Sequence, residues 1–76
     1  MVTRYVVIDD EFYVRYSINQ VVKQTVPGFI CVGEAENGIE GLNLVKQLKP
    51  DLILLDIKMP GINGLELCME IQREKM

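Results

Sequence analysis

Three short, uninterrupted apolar runs alternate with segments of helical periodicity, and this alternation restricts the folds open to the chain. The runs are Tyr5 to Ile8, Phe29 to Val32 and Leu52 to Leu55. Unbroken runs of this length are typical of strands buried on both faces, and the third run is expected to be the most buried. Strands that alternate with helices indicate a parallel sheet with crossover helices. The 76 residues therefore predict one small α/β domain of order β-α-β-α-β-α.

Apolar spacing also predicts which side of each helix faces the sheet. Asn37 and Asn63, each with a glutamate three residues later, resemble capping boxes at the starts of the second and third helices. Pro27-Gly28 is expected to end the first helix, and Lys49-Pro50 the second. The residues predicted to face inward are Val14, Ile18, Val21 and Val22, then Ile39, Leu42, Val45 and Leu48, and then Leu67, Cys68 and Ile71.

Composition excludes several classes of function. The net charge is −3, and the eight basic residues are scattered, so we expect no nucleic-acid contact by this segment. No run is long enough to span a membrane, and no secretory leader is visible, which predicts a cytoplasmic protein. Cys31 and Cys68 lie within apolar patterns and are expected to be buried, free thiols. The chain has no histidine, which argues against a zinc site.

Acidic residues follow two of the predicted strands. Asp9 and Asp10 come directly after the first strand, and Asp56 directly follows the third. In a doubly wound sheet of order 2-1-3, ligands bind where the strand order reverses, which is between these two strands. Because the carboxyl ends of parallel strands meet at one edge of the sheet, the three carboxylates are expected to converge in one crevice.

Such convergence restricts the chemistry of the site. Two unit charges about 4 Å apart repel by roughly 4 kcal/mol at an effective dielectric constant near 20. Either one carboxyl therefore holds a proton, or a hard divalent cation binds. An all-oxygen set of ligands suits Mg²⁺, and a carboxylate beside that ion is a competent nucleophile for phosphoryl transfer. The predicted product is an aspartyl phosphate.

Each of these residues also has a purely structural interpretation. Asp9 or Asp10 alone is most simply an N-cap of the first helix, and Asp56 alone a turn residue. Lys58 is either a solvated loop charge or a group that reaches a phosphoryl oxygen, and its main-chain carbonyl is a possible metal ligand. The joint occurrence of the acidic pair and the single acid favours a functional site.

Three segments of the chain carry a family resemblance. They are Tyr5 to Glu11, Gly33 to Gly38 and Lys49 to Gly64, and in this order and spacing they resemble the receiver domain of two-component response regulators. The resemblance implies a flavodoxin-like, doubly wound parallel sheet of order 2-1-3 with helices on both faces. It also implies a regulatory phosphoacceptor rather than an enzyme, with a transcriptional output domain outside these residues.

The same resemblance assigns roles to individual residues. It implies that Asp56 accepts a phosphoryl group from a sensor histidine kinase. Asp10 and Asp56 would bind Mg²⁺ directly, Asp9 through water and Lys58 through its main-chain carbonyl. Pro60 and Gly64 would shape the loop that follows the acceptor.

Receiver domains have five βα units, whereas residues 1–76 contain three. We therefore expect an incomplete receiver domain, without the hydroxyl residue that ends the fourth strand or the lysine that ends the fifth. Leu52 to Leu55 would then lie at an edge of the sheet, which predicts self-association. Two alternatives stay open: a scaffold that is not phosphorylated, and a phosphohydrolase of the haloacid dehalogenase type. In that hydrolase family a second aspartate stands where Lys58 stands here.

Overall fold

The computed structural model describes residues 2–56, which form three strands and two helices. All strand pairings are parallel, and the sheet has the order β2-β1-β3. This arrangement confirms the predicted truncated flavodoxin-like fold. The predicted third helix, Lys58, Pro60, Gly64 and Cys68 lie outside the described residues. The elements are β1 (Thr3–Ile8), α1 (Phe12–Thr25), β2 (Phe29–Ala35), α2 (Gly38–Leu48) and β3 (Leu52–Leu55).

The central strand β1 forms the core of the molecule. Residues Tyr5 to Ile8 are at most 2% exposed, which confirms that this strand is buried on both faces. Val6 and Ile8 pack with Val45 of α2 on one face of the sheet. On the other face, the Tyr5 hydroxyl donates a hydrogen bond to Asn19 of α1. The two helices therefore cover opposite faces of the sheet.

Local signals at both ends of α2 act as the sequence predicts. The Asn37 Oδ1 atom accepts a hydrogen bond of 2.8 Å from the main-chain N–H of Glu40. The Asn37 side chain also donates to the Glu40 carboxylate at 3.2 Å, so the two side chains hold one another. Lys49 ends the helix in the left-handed conformation, with φ of 48°. The helix thus begins and ends at the predicted residues.

Helix α2 presents its predicted residues Leu42, Val45 and Leu48 to the core, but Ile39 departs from the prediction. Ile39 is 69% exposed, so its predicted inward position is wrong, whereas Gly38, Gly41 and Val45 are buried. A Cβ atom added at Gly41 would lie only 2.6 Å from Ile8 Cδ1. The absent side chain therefore lets α2 approach β1 closely, and this close contact fixes which face of the helix turns inward.

Substitution of Gly41 by alanine is expected to destabilise the fold. Overpacking against Ile8 costs about 2–3 kcal/mol, while alanine returns about 1 kcal/mol of helix propensity. The net loss is about 1–2 kcal/mol, measurable by urea unfolding followed by circular dichroism. Gly33→Ala is the control, because its Cβ would meet the flexible ends of Leu48 and Leu44 at 3.1 and 3.3 Å. A Gly41→Ala variant as stable as the wild type would contradict the close contact.

Helix α1 turns only part of its predicted stripe inward, since Ile18 and Val22 are partly buried as predicted. Val14 and Val21 are 36% and 59% exposed, so their predicted inward positions are wrong, and no described residue of this helix is fully buried. Besides Gln20, four residues at positions i, i+3, i+4 and i+7 are partly buried. They are Arg15, Ile18, Asn19 and Val22. Two polar residues thus share the sheet-facing side of the helix with two apolar ones.

Strand β2 continues past its predicted end at Val32 and contains a bulge. Tyr5 of β1 pairs with Cys31 but Val6 pairs with Gly33, so Val32 is the extra residue. Val32 and a Cβ at Gly33 both point to the α2 side, and Glu34 then faces α1. Because of the bulge, the strand extends to Ala35 with its charged residue turned away from the apolar core.

Cys31 departs from its predicted environment. The side chain is a free thiol but is only half-buried. Its Sγ atom contacts the main-chain oxygen of Gly33 at 3.4 Å. Burial nevertheless raises the pKa of the Cys31 thiol, and the nearby Glu34 carboxylate raises it further. The thiol is therefore protonated and of low reactivity at neutral pH.

Strand β3 lies at one edge of the described sheet. Its predicted status as the most buried strand is wrong, because Leu52 is 37% exposed and the next three residues are half-buried. Within residues 2–56, it pairs with β1 only. The edge position agrees with the predicted topology, and self-association through this edge stays a prediction. Neither described helix combines the length and the apolar character needed to cross a bilayer.

Candidate functional site

Three carboxylates meet where β1 and β3 end. Ile8 and Leu55 are partners in the parallel pairing, so the residues that follow them are neighbours in space. The main-chain N–H of Asp56 donates to the Ile8 oxygen at 2.9 Å, which extends the pairing by one step. Carboxylate oxygens of Asp9, Asp10 and Asp56 all lie within 4.8 Å of one another. The structure therefore shows the convergence that the order 2-1-3 predicts.

Asp9 is the buried and firmly held member of the cluster. Its side chain is 8% exposed, and Oδ1 accepts a hydrogen bond of 2.9 Å from the main-chain N–H of Glu11. Its own N–H donates to the Ala35 oxygen at 3.0 Å. Helix α1 begins at Phe12 with Glu11 in the N-cap position, so neither Asp9 nor Asp10 is the N-cap. The Asp9 carboxylate instead fixes the turn that leads into the helix.

Asp10 and Asp56 face more open surroundings. Asp10 is exposed and Asp56 is partly exposed, so small ligands reach both from solvent. A cleft of about 310 Å³ adjoins the cluster on the side of α1. Two of the acids, Asp9 and Asp56, line this cleft together with four apolar residues. The lining residues are Ile8, Asp9, Ile18, Leu54, Leu55 and Asp56.

The described carboxylates fit a small divalent cation. Mg²⁺ binds oxygen ligands at about 2.0–2.1 Å, so two ligands on opposite sides of the ion are about 4.2 Å apart. Oxygens within 4.8 Å of one another are close to this spacing. A cation would also offset the mutual repulsion of the three acids. Lys58, the fourth ligand suggested by sequence, lies outside the described residues.

The sequence patterns do not predict one residue of the site, Arg15. The Arg15 Nη1–H group donates a hydrogen bond of 2.7 Å to the main-chain oxygen of Asp9. Its Nε–H group donates to the Glu34 carboxylate at 3.0 Å. The only sequence signal for these contacts is that Arg15 lies one turn into the helix that follows the acidic pair.

The fold and the acidic cluster together define a class of protein: a flavodoxin-like α/β domain with three carboxylates at its topological switch point. The chain belongs to the response regulator receiver domain family, whose pattern residues 5–76 match. This membership confirms the family resemblance noted in the sequence.

Individual relatives agree with the family assignment. The chain is 47% identical over 68 residues to the nitrate/nitrite response regulator protein NarL of Escherichia coli K12, a match that covers 90% of this chain and 31% of that protein. It thus spans about a third of the length of this curated relative.

Solved structures give the same result. The signal receiver domain of the response regulator NarL from Mycobacterium tuberculosis has a TM-score of 0.90 at 31% identity, covering 99% of this chain and 60% of that one. RcsB from Salmonella enterica serovar Typhimurium, solved bound to promoter rprA in the presence of phosphomimetic BeF₃⁻, has a TM-score of 0.84 at 25% identity. That match covers 95% of this chain and 60% of that one.

Proposed function

We propose that Asp56 accepts a phosphoryl group from a sensor histidine kinase in a reaction assisted by Mg²⁺. The observation that carries this proposal is the acidic cluster, whose carboxylate oxygens lie within 4.8 Å of one another. Membership of the receiver family supports it, as does the use of phosphomimetic BeF₃⁻ with RcsB. The role of this chain is then regulatory, and its partner is the kinase.

The roles proposed for the three acids follow their surroundings. Asp10 and Asp56 are accessible from solvent and are proposed as direct ligands of Mg²⁺. Asp9 is buried, and its Oδ1 atom already accepts a main-chain hydrogen bond, so we assign it a contact through water. The main-chain carbonyl of Lys58 is proposed as a further ligand on the basis of sequence alone.

In the proposed reaction, a carboxylate oxygen of Asp56 attacks the phosphorus atom of a phosphohistidine. The new O–P bond forms as the P–N bond breaks, and the electron pair of that bond stays on the histidine nitrogen. Mg²⁺, when bound, neutralises charge on the phosphoryl oxygens. The hydrogen bond from the Asp56 N–H to Ile8 holds the nucleophile at a rigid strand end, which restricts its line of attack.

The proposal also covers the wider protein. Residues 1–76 are proposed to supply the first three βα units of a receiver domain that acts in the cytoplasm. A transcriptional output is assigned to residues outside this segment, in keeping with the promoter bound to RcsB. Because the basic residues of this segment are scattered, we propose that it makes no contact with DNA.

A chemical labelling experiment tests the proposed function. The chain is incubated with acetyl phosphate and Mg²⁺, and its intact mass is measured. We expect the addition of one phosphoryl group that survives acid but is removed by base or by hydroxylamine, as an acyl phosphate is. Turnover of a generic phosphatase substrate would favour the hydrolase instead. If neither reaction occurs, the proposed phosphoacceptor function is rejected. The alternative of a scaffold that is not phosphorylated then remains.

A further inference from the structure

The Arg15 guanidinium joins three parts of the molecule at the acidic end of the sheet. It donates to the main-chain oxygen of Asp9 at the end of β1 and to the Glu34 carboxylate on β2. It also lies 5.8 Å from the centre of the Phe12 ring, within the range of a cation–π contact. The side chain is only 12% exposed. Solvent therefore competes weakly for these contacts.

A chain of hydrogen bonds holds Arg15 in place. The second oxygen of the Glu34 carboxylate accepts a hydrogen bond of 3.0 Å from the Asn19 amide. The Asn19 side-chain oxygen in turn accepts a bond of 2.7 Å from the Tyr5 hydroxyl. Tyr5 is 2% exposed and belongs to the core of β1. The position of the guanidinium is thus set by a buried residue of the central strand.

The hydrogen bond from Arg15 to the main-chain oxygen of Asp9 restrains the position of Asp10. The Asp9 carbonyl and the Asp10 N–H belong to one planar peptide group. The Asp9 N–H is already bonded to β2, so the bond from Arg15 fixes the remaining rotation of this peptide. The direction in which the chain leaves β1, and with it the origin of the Asp10 side chain, follows from that plane.

We propose that Arg15 is a positioning residue for the acidic site, which holds the Asp9–Asp10 peptide so that the Asp10 carboxylate stays directed at the cation. This inference rests on the proposed Mg²⁺-dependent function. Mg²⁺ tolerates little deviation from octahedral geometry, and loss of a group that orients a ligand typically weakens metal binding by 10–100-fold.

The charge of Arg15 and its proposed positioning role predict opposite changes in Mg²⁺ affinity when Arg15 is replaced. A guanidinium near three carboxylates repels a divalent cation, so removal of its charge alone would tighten Mg²⁺ binding. Loss of positioning would weaken it. The sign of the change in dissociation constant therefore separates the two roles.

The test compares Arg15→Met with a matched control, Arg4→Met. Like Arg15, Arg4 donates two side-chain hydrogen bonds, but its acceptors are the main-chain oxygens of Leu48 and Lys49 and lie at the opposite end of β1. Mg²⁺ dissociation constants are measured on the full chain by NMR titration of the main-chain amides. We expect Arg15→Met to weaken binding about tenfold and Arg4→Met to leave it unchanged. Arg15→Lys keeps the charge but loses the two-pronged contact, and is expected to weaken binding several-fold.

Each result has a distinct meaning. Unchanged or tighter binding in Arg15→Met, with Arg4→Met like the wild type, overturns the positioning role and leaves the proposed function intact. Equal weakening in both variants attributes the effect to general destabilisation and also overturns it. If Arg15→Met does not fold, the Arg15→Lys result decides. A wild type that binds no Mg²⁺ rejects the proposed function itself, and the positioning role with it.

Discussion

Replacement of Asp56 by asparagine is expected to abolish phosphoryl incorporation from acetyl phosphate. The side-chain amide is a poor nucleophile, and it also removes one of the charged ligands proposed for Mg²⁺. Main-chain contacts of this residue are retained, including the bond from its N–H to Ile8, so the fold should persist. Intact mass after incubation with acetyl phosphate and Mg²⁺ measures the loss, which should be complete within detection.

The same strand supplies a matched control for this variant. Asp51 precedes β3, as Asp56 follows it, and its carboxylate accepts a hydrogen bond of 2.9 Å from the main-chain N–H of Arg4. Asp51→Asn removes the same charge and keeps an acceptor oxygen, but acts at the opposite end of the strand. We expect it to incorporate phosphoryl groups like the wild type. Incorporation by Asp56→Asn equal to that of Asp51→Asn would disprove the acceptor assignment.

Asp10→Asn is expected to abolish the stabilising effect of Mg²⁺. In the wild type, Mg²⁺ at about 100 times its dissociation constant adds about 2.7 kcal/mol to the free energy of unfolding. For a domain of this size that gain corresponds to about 10–20 °C in Tm. The variant should lose this response, because it lacks one proposed direct ligand. Without Mg²⁺, its Tm should exceed that of the wild type by a few degrees, since one of three mutually repelling carboxylates is gone.

Thermal unfolding with and without Mg²⁺ measures both effects. Glu36→Gln is the control, because Glu36 is an exposed acid that follows β2 at the same edge of the sheet but is outside the cluster. Its response to Mg²⁺ should match that of the wild type. An equal rise in Tm for wild type and Asp10→Asn would place the cation elsewhere.

The features that sequence predicts well are those set by nearest neighbours and by strand order. Four consecutive apolar residues correctly identify the strand β1, although the same pattern overestimates the burial of β3, and Asn37 with Glu40 is enough to place the start of α2. The meeting of Asp10 and Asp56 follows once parallel strands of order 2-1-3 are assumed, because their ends share one edge. None of these predictions requires knowledge of side-chain packing.

The features that the sequence does not predict depend on contacts between distant elements. Apolar periodicity treats glycine as neutral, so it does not reveal that Gly41 rather than Ile39 turns toward β1. It also counts polar residues as outward-facing. Arg15 and Asn19 nevertheless face the sheet, because Glu34 on β2 offers both of them a hydrogen-bonding partner. Such partners become visible only when the register between strands is known.

The bulge at Val32 determines the face of the sheet to which each later residue of β2 points. Side chains along a strand point to alternate faces, so a regular strand that kept Val32 but had no bulge would invert the orientation of Glu34 and Ala35. The carboxylate would enter the apolar layer beneath α2, and Arg15 would lose its ionic partner. The bulge at Val32 therefore keeps the Glu34 carboxylate on the α1 side of the sheet and Ala35 in the apolar core on the α2 side.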